Sequence, residues 1–506
     1  MKTPTTHPTR ETVGARVGSL LRDAAEDALI APCSAEELAG MRASVHTLAD
    51  TVATDQVYGV TRGFGALVEY EAAASRLAQG TGLISHLGTG QGEPLSPQVS
   101  RLVLWLRLQS MRRGFSAVEP EFWDQIAGLW NRGFTPVIPS EGTVSASGDL
   151  QPLAHAALAF TGFGEAWTRG DTGQWTRQPA QDALRALGHH PLRWPAREAL
   201  GFVNGSSVSL AVSLVNHRES LLIARAVAAL TARIVRLLQA TPEAYDDAFA
   251  TARGQAGQRT AARWIRDDLP VDAKRGHDRP LQEPYSLRCA PQVIGAVLDQ
   301  LALTEDILVR EAEGCTDNPI SHEGRILHGG NFHALPVGLC SDQAGLALHQ
   351  VAYLAERQLA LLCSPGTNGG MAPMLTPNPG AATGVAGVQL SATSFVSRIR
   401  QLVYPASLTS LPTNGANQDH VPMALNGAAS VTKAVDLAWL IVGSLAVAVA
   451  QGSALVPTPL PTPHPWSALA ELSPPMDLDR PLAAEVRAAA SLMRQAAETW
   501  VDESNP

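Results

Sequence analysis

The sequence is poor in aromatic and charged residues, and these shortages exclude several classes of protein. Phe, Trp and Tyr make up 5% of the 506 residues, and Asp, Glu, Lys and Arg make up 17%, against roughly 25% charged residues in an average soluble protein. The 38 Lys and Arg residues against 47 Asp and Glu give a net charge of -9, so the composition does not favour binding to nucleic acid or an anionic membrane. The hydrophobic 45% is mostly Ala, Leu and Val, which predicts a mainly α fold.

Cysteine and long apolar runs are also scarce. The five cysteines form no Cys-x-x-Cys pair, which excludes a zinc ribbon or a redox dithiol and indicates reduced thiols in a cytoplasmic protein. Residues 1–12 are polar and lack the apolar core of a signal peptide, so we expect a disordered tail. The longest apolar run, Leu437 to Ala450, is shorter than the roughly 20 residues of a membrane span. It predicts a buried core helix.

Motifs for nucleotides and metals are missing. We find no Walker loop, no dinucleotide Gly-x-Gly-x-x-Gly and no Gly-x-Ser-x-Gly elbow. Asp317, His322, His328 and His333 fall within a short span, but their spacing fits no zinc pattern. We therefore expect neither a metal nor a nucleotide cofactor.

The composition of the middle of the chain predicts a bundle of long helices. Ala-, Leu- and Val-rich segments cover 206–241, 291–313, 341–363 and 425–451, each longer than the mean helix of about 11 residues. Four units are expected: the tail 1–12, an N-terminal domain 13–205, a central bundle 206–455, and a linker and helix 456–506.

Shorter patterns place individual helices and loops in the N-terminal domain. Ser34 and Glu37 predict a capping box that opens a helix. Apolar residues at helical spacing between Val99 and Met111, with Arg101 and Arg107 on other faces, predict an amphipathic helix. Segments 54–65, 86–95 and 139–150 are rich in Gly, Thr, Ser and Pro and are expected to be loops.

The loop 139–150 contains the tripeptide Ala146-Ser147-Gly148, which can become an electrophile. In a tight loop the Gly148 amide nitrogen can attack the Ala146 carbonyl, and loss of two waters leaves a five-membered ring with Ser147 as an exocyclic methylidene. Glycine suits the attacking position because it has no Cβ. Alone, the tripeptide is weak support, because Ala-Ser-Gly occurs by chance.

The surrounding sequence resembles a known family. Gly142-Thr-Val-Ser-Ala-Ser-Gly-Asp-Leu150 resembles the motif of the methylidene-imidazolone (MIO) ammonia-lyases and aminomutases, which include the histidine, phenylalanine and tyrosine ammonia-lyases. Further family-like segments follow the family's order over nearly the whole chain: Tyr58 to Gly65, Ser85 to Leu87, Val203 to Ser206, Gln282 to Arg288, Asp317 to Pro319, Gly329 to His333 and Asn417 to Asp419.

This resemblance implies the catalytic residues and the cofactor. The MIO group would form autocatalytically from Ala146, Ser147 and Gly148, with Asn204 beside it, and Tyr58 would be the general base that removes a β-proton. A phenolate at Tyr58 needs its pKa lowered by positive charge or hydrogen bonds.

It also implies a substrate-binding shell. Tyr285 and Arg288 are three residues apart, so a helix would put both on one face, with Tyr285 in the catalytic set and Arg288 holding the substrate carboxylate. The remaining shell comprises Leu150, Gln282, Asn318, Phe332 and Asn417.

Two positions bear on the substrate. His86 and Leu87 match the slots where tyrosine lyases resemble His-Leu, so His86 would bond a phenol hydroxyl. Gln418 stands where histidine ammonia-lyases carry a glutamate, and it offers no charge to an imidazole.

Two segments depart from the family pattern. Residues 381–386 differ from the family's pocket wall, and Ser145 replaces the commoner glycine before the tripeptide, a change expected to be tolerated.

The resemblance therefore implies deamination of L-tyrosine to trans-4-coumarate and ammonia, for phenylpropanoid or other secondary metabolism. It also implies a homotetramer whose active sites are shared between subunits. Three alternatives stay open: a tyrosine 2,3-aminomutase, a phenylalanine or histidine ammonia-lyase, and a non-catalytic oligomeric binding protein in which the ring does not form.

Overall fold

The computed structural model describes residues 13–170, 173–270, 273–456 and 463–503, and its chain is mainly helical, as the composition predicts. The predicted tail 1–12 and most of the proline-rich linker lie outside these residues. The helices in chain order are α1 (Ala15–Asp23), α2 (Ala35–Thr54), α3 (Arg76–His86), α4 (Pro97–Arg112), α5 (Pro120–Asn131), α6 (Leu150–Phe160), α7 (Ala180–Ala186), α8 (Ala196–Val203), α9 (Ser207–Leu238), α10 (Asp247–Arg253), α11 (Ala256–Asp267), α12 (Tyr285–Arg288), α13 (Ala290–Glu313), α14 (Leu335–Cys363), α15 (Ala386–Leu402), α16 (Ala424–Leu455), α17 (Trp466–Leu472) and α18 (Ala483–Glu503).

The long helices α9, α13, α14 and α16 pack against one another and form the bundle that the sequence predicts. Their shared core consists mainly of Leu, Val, Ala and Ile side chains. By length and composition α16 could cross a membrane, but 78% of its most apolar stretch is buried inside the protein. The run from Leu437 to Ala450 is therefore part of a core helix, as predicted.

Sequence signals at helix ends are realised in the structure. The Ser34 hydroxyl accepts a hydrogen bond from the Glu37 amide at 3.2 Å, and the Glu37 carboxylate accepts one from the Ser34 amide at 2.7 Å. This capping box begins α2 and satisfies two otherwise unpaired amides. The five cysteines are free thiols.

The prediction that α4 is amphipathic, with arginines on other faces than its apolar residues, is corrected at two of those arginines. The helix forms, but Arg101 and Arg107 are buried and bond backbone carbonyls such as those of Trp130 and Thr316. Periodicity could not reveal this, because a buried arginine at such a position has the same spacing as an exposed one.

The strands are short and lie in small antiparallel sheets: β1 (Gln91–Pro94) with β3 (Pro139–Glu141), β2 (Thr135–Pro136) with β4 (Glu165–Arg169) and β5 (Trp175–Pro179), and β6 (Ile320–His322) with β7 (Arg325–Leu327). The segments 86–95 and 139–150, expected to be loops, thus contain paired strands. The pairing of β1 with β3 ties the chain after His86 to the chain before the tripeptide.

Helix α9 links two hydrophobic cores. Its first residues, to Leu214, pack in the core formed by α3 to α8, and its later residues, from Leu221, pack in the bundle core. The turn at Asn204 and Gly205 lies between α8 and α9, beside the expected boundary at 205. The division into units stays a prediction.

Candidate active site

The tripeptide Ala146-Ser147-Gly148 lies in a tight loop between β3 and α6. The backbones of Ala146 and Gly148 lie side by side, and Gly148 has a φ of +70°. A Cβ on Gly148 would lie 2.3 Å from the backbone of Gly205, so this position accepts only glycine. The loop is therefore tight at Ala146 and Gly148, the residues between which the resemblance expects the ring to close.

Two side-chain amides converge on Ser147. The Asn204 Nδ2 donates to the Ser147 carbonyl oxygen at 2.8 Å, and the Gln418 Nε2 donates to the Ser147 hydroxyl at 3.0 Å. Asn204 is buried, and its Oδ1 has no hydrogen-bond partner among the described residues. Asn204 was expected beside the tripeptide and Gln418 in the substrate-binding shell, and the free Asn204 oxygen is an acceptor beside Ser147.

A buried carboxylate follows the tripeptide, at Asp149. Its Oδ1 accepts from the Ser145 hydroxyl at 2.7 Å, and its Oδ2 accepts from the Ser209 amide at 2.7 Å and hydroxyl at 2.9 Å. Burial raises the pKa of Asp149, and these hydrogen bonds oppose that rise. Sequence reasoning did not single out Asp149, because an acidic residue before a helix reads as an ordinary cap.

Arg107 on α4 was also missed as a supporting residue. Its guanidinium donates to the carbonyl oxygens of Thr316 at 3.0 Å and Asn204 at 3.4 Å, and to the Ser110 hydroxyl at 3.2 Å. These hydrogen bonds hold the turn that carries Asn204 in place. Arg107 is exceptional because its cationic side chain is fully buried, and no local sequence pattern predicts this burial.

Tyr58, the expected base, lies in a separate loop. Its hydroxyl oxygen accepts from the Gly65 amide at 2.8 Å, and its own amide donates to His328 Nε2 at 3.2 Å. Burial raises the pKa of Tyr58, and the bond from Gly65 opposes that rise. The lowering of the pKa by positive charge that a base needs is not supplied by the described residues of this chain.

Helix α12 presents Tyr285 and Arg288 on one face, as their spacing predicts. The Arg288 guanidinium lies 4.6 Å from the Tyr285 ring centre, and its Nε donates to the Glu283 carbonyl oxygen at 3.0 Å. Tyr285 is 70% exposed and Gln282 is also exposed. This face of α12 is exposed in the single chain.

The expected substrate selector is at the end of α3. His86 is exposed, and its Nδ1 lies 3.1 Å from the Gly82 carbonyl oxygen. A carbonyl partner requires the proton on Nδ1, which leaves Nε2 as an acceptor. Leu87 beside it is buried.

The remaining shell residues are distributed over three segments. Asn318 is buried and accepts from the Gly329 amide at 2.6 Å, Phe332 is half-buried, and Asn417 is exposed. The His333 and His420 side chains approach to 3.4 Å, which brings the segment of Phe332 against that of Gln418. Leu150, half-buried, begins α6 directly after Asp149.

The predicted site residues are not all joined by direct hydrogen bonds in the described part of this chain. Across the described ranges from 13 to 456, hydrogen bonds join Ser147 to Asn204 and Gln418 but not to Tyr58 or Arg288. In the same ranges no three His, Cys, Asp or Glu side chains are grouped to hold a metal ion. Asp317 instead pairs with Arg197 in the interior.

Comparison with known proteins agrees with this site. The family described as aromatic amino acid lyase matches residues 19–473. A histidine ammonia-lyase of Roseobacter denitrificans is 36% identical over 467 residues, 90% of each chain. Among solved structures, the tyrosine aminomutase of Streptomyces globisporus superposes with a TM-score of 0.87 at 27% identity, over 97% of this chain and 98% of that one. The histidine ammonia-lyase of Trypanosoma cruzi gives 0.85 at 28%, over 97% and 94%.

The fold and the tripeptide loop define a carbon–nitrogen lyase with the architecture of these ammonia-lyases and aminomutases. This chain belongs to the aromatic amino acid lyase family.

Proposed function

We propose that this protein deaminates L-tyrosine to trans-4-coumarate and ammonia, as a cytoplasmic homotetramer with an autocatalytically formed MIO group. The observation that carries the proposal is the tripeptide loop, where Ala146 and Gly148 lie side by side and Asn204 and Gln418 both bond Ser147. These residues fit the ring: Gly148 leaves no room for a Cβ, and the Asn204 Oδ1 is an unused acceptor next to it. The ring supplies the electrophile that activates the substrate amine for departure.

The protein's own residues then bind and deprotonate the substrate. Arg288 holds the α-carboxylate, because its guanidinium is a planar pair of donors on the open face of α12. The Asn204 oxygen accepts from the substrate ammonium, and the Tyr58 oxygen takes the β-proton. Its pKa must fall when the substrate and neighbouring subunits assemble around it, since burial raises it in one protomer.

Tyrosine selectivity rests on His86 and Gln418. The His86 Nε2, left as an acceptor, receives the phenol hydroxyl, and phenylalanine would leave that acceptor unpaired. Gln418 is neutral and lies on Ser147, so it gives an imidazole side chain no opposite charge.

Two other substrates or outcomes have their own support. The curated relatives at 36% identity are named histidine ammonia-lyases, which favours histidine. The solved tyrosine aminomutase, at 27% identity, has nearly the same fold, which favours conversion to β-tyrosine.

A homotetramer is supported by apolar side chains left exposed on one chain. Leu281, Tyr285, Leu390, Leu408 and Leu411 are each at least 68% exposed, and large exposed apolar residues often mark interfaces. Among the described residues neither Tyr58 nor Arg288 hydrogen-bonds to Ser147, which also agrees with sites shared between subunits.

The test is incubation of the purified protein with L-tyrosine, L-phenylalanine and L-histidine separately, with products identified by chromatography and mass detection. We expect coumarate and ammonia from tyrosine, none with Ser147→Ala, and a loss of tyrosine preference with His86→Phe. Urocanate from histidine as the main product would overturn the substrate assignment, and early β-tyrosine would make the protein an aminomutase.

A further inference from the structure

Ser145 and Asp149 bracket the ring-forming tripeptide and contact each other across it. The Ser145 hydroxyl donates to Asp149 Oδ1 at 2.7 Å, and both residues are fully buried. Asp149 is in turn fixed to the first turn of α9 by the Ser209 amide and hydroxyl. The bond therefore closes a loop around Ala146, Ser147 and Gly148 and fastens it to a rigid helix.

The same hydroxyl also connects the loop to α16. It accepts from the Leu425 amide at 3.2 Å, one of the amides at the start of α16 that lack a partner within the helix. The N-cap residue Met423 supplies no side-chain cap, and its amide donates to the Val144 carbonyl oxygen at 3.1 Å. Ser145 thus takes the place of a cap residue for the helix that follows the Gln418 segment.

The backbone at Ser145 is one that serine rarely adopts. Its φ is +56°, a left-handed conformation that glycine reaches without steric cost. The sequence resemblance gives glycine as the commoner residue here. Serine is therefore less favourable than glycine at this φ. In this chain the two hydrogen bonds of its hydroxyl compensate for that steric cost.

We propose that Ser145 is a positioning residue for ring formation. Its hydroxyl hydrogen-bonds to Asp149 across the tripeptide and so holds the Gly148 nitrogen against the Ala146 carbonyl carbon. The inference rests on the proposed function, because it assumes that the ring forms. In that reaction the Gly148 nitrogen bonds to the Ala146 carbonyl carbon. One released water takes its oxygen from the Ala146 carbonyl and its hydrogens from the amides of Ser147 and Gly148. The other consists of the Ser147 hydroxyl and the hydrogen from the Ser147 Cα. Holding the reacting atoms together speeds such a step.

The experiment compares Ser145→Gly and Ser145→Ala with the wild type. Each protein is made by cell-free synthesis, and the fraction of its 142–150 peptide that has lost two waters is followed by mass spectrometry over time. Thermal unfolding of each variant checks that it folds. Ser220→Ala is the matched control, since Ser220 is a buried serine on α9 whose hydroxyl, among the described residues, bonds the Asn216 carbonyl oxygen alone.

We expect both Ser145 variants to close the ring about tenfold more slowly or worse, and the control to match the wild type. The glycine variant is decisive for the side chain, because it removes the Cβ and the hydroxyl and relieves the backbone, whereas Ser145→Ala removes the hydroxyl alone. Ring closure in Ser145→Gly as fast as in the wild type would overturn the role of Ser145. A wild type that never loses the two waters would instead defeat the proposed function, so the two failures are distinguishable.

Discussion

Gln418 is a neutral side chain at the tripeptide, where we propose that the substrate binds. Its amide lies 3.0 Å from the Ser147 hydroxyl, and a glutamate of similar size would place a carboxylate there. Opposite charge stabilises an imidazolium, whereas a phenol gains nothing from it. We predict that Gln418→Glu raises the ratio of kcat/KM for L-histidine over L-tyrosine by about tenfold or more, which is about 1.4 kcal/mol.

The ratio is measured with both substrates at one pH. Gln401→Glu, an exposed position on α15, is the control for the added charge and should leave the ratio unchanged. An unchanged ratio in Gln418→Glu as well would show that Gln418 does not face the substrate.

The burial of Tyr58 predicts a pH dependence. Burial raises the pKa of Tyr58 in the single chain, and even where assembly lowers that pKa, the phenolate that we propose as the base increases as pH rises. We therefore expect kcat/KM to climb with pH on the alkaline side of neutrality and to fall as pH decreases. Tyr58→Phe should lose activity at every pH while still losing two waters from its 142–150 peptide.

The pH–rate profile is measured with L-tyrosine at limiting concentration. Tyr404→Phe, which removes an exposed tyrosine, should retain the wild-type profile. A profile that is flat above neutral pH would contradict Tyr58 as the base.

At the scale of elements, a buried ion pair fastens α8 to the segment that carries Asn318. Arg197 pairs with Asp317, and both side chains are almost fully buried. Asp317→Asn would leave the guanidinium without its counter-charge in the interior. We predict a loss of about 3–5 kcal/mol in the free energy of unfolding, measured by urea denaturation.

Asp182→Asn is the comparison, because Asp182 makes an exposed pair with Arg185 at 2.8 Å. Its loss should cost about 1 kcal/mol or less. Equal effects of the two substitutions would mean that the buried pair does not fasten α8.

Much of the element level could be predicted from sequence, since it depends on local patterns. The capping box at Ser34 and the long bundle helices follow from residue spacing alone. The buried state of Arg107 and the contact of Ser145 with Asp149 could not be predicted, because each depends on partners brought together only by the fold. Of the site, the tripeptide and its neighbours Asn204 and Gln418 were predictable by resemblance, whereas the side chains that support them were not.

At the scale of the whole molecule, the groups that we propose to act on one substrate are not joined by direct hydrogen bonds among the described residues of a single chain. Arg288 on α12 and Ser147 share no hydrogen bond in the part of the chain that the structure describes. If each site combines residues of different subunits, two inactive variants should complement each other. We predict that Ser147→Ala and Arg288→Gln, each inactive alone, regain activity when co-expressed in mixed tetramers.

Activity is measured on co-purified mixed oligomers carrying two different affinity tags. Mixing the two variants after separate purification, without subunit exchange, serves as the control and should give no gain. Mixed oligomers no more active than the separate variants would place Ser147 and Arg288 of one site in the same subunit.

The account as a whole depends on the conversion of Ala146, Ser147 and Gly148 into an electrophilic ring, and peptide mass spectrometry tests this most directly. The measurement is the mass of the proteolytic peptide containing 142–150 from the purified wild-type protein, with Ser147→Ala beside it. We predict that the wild-type peptide is lighter than its sequence by two waters and that the variant peptide has its unmodified mass. A wild-type peptide with its full mass would contradict the account and every enzymatic function derived from it.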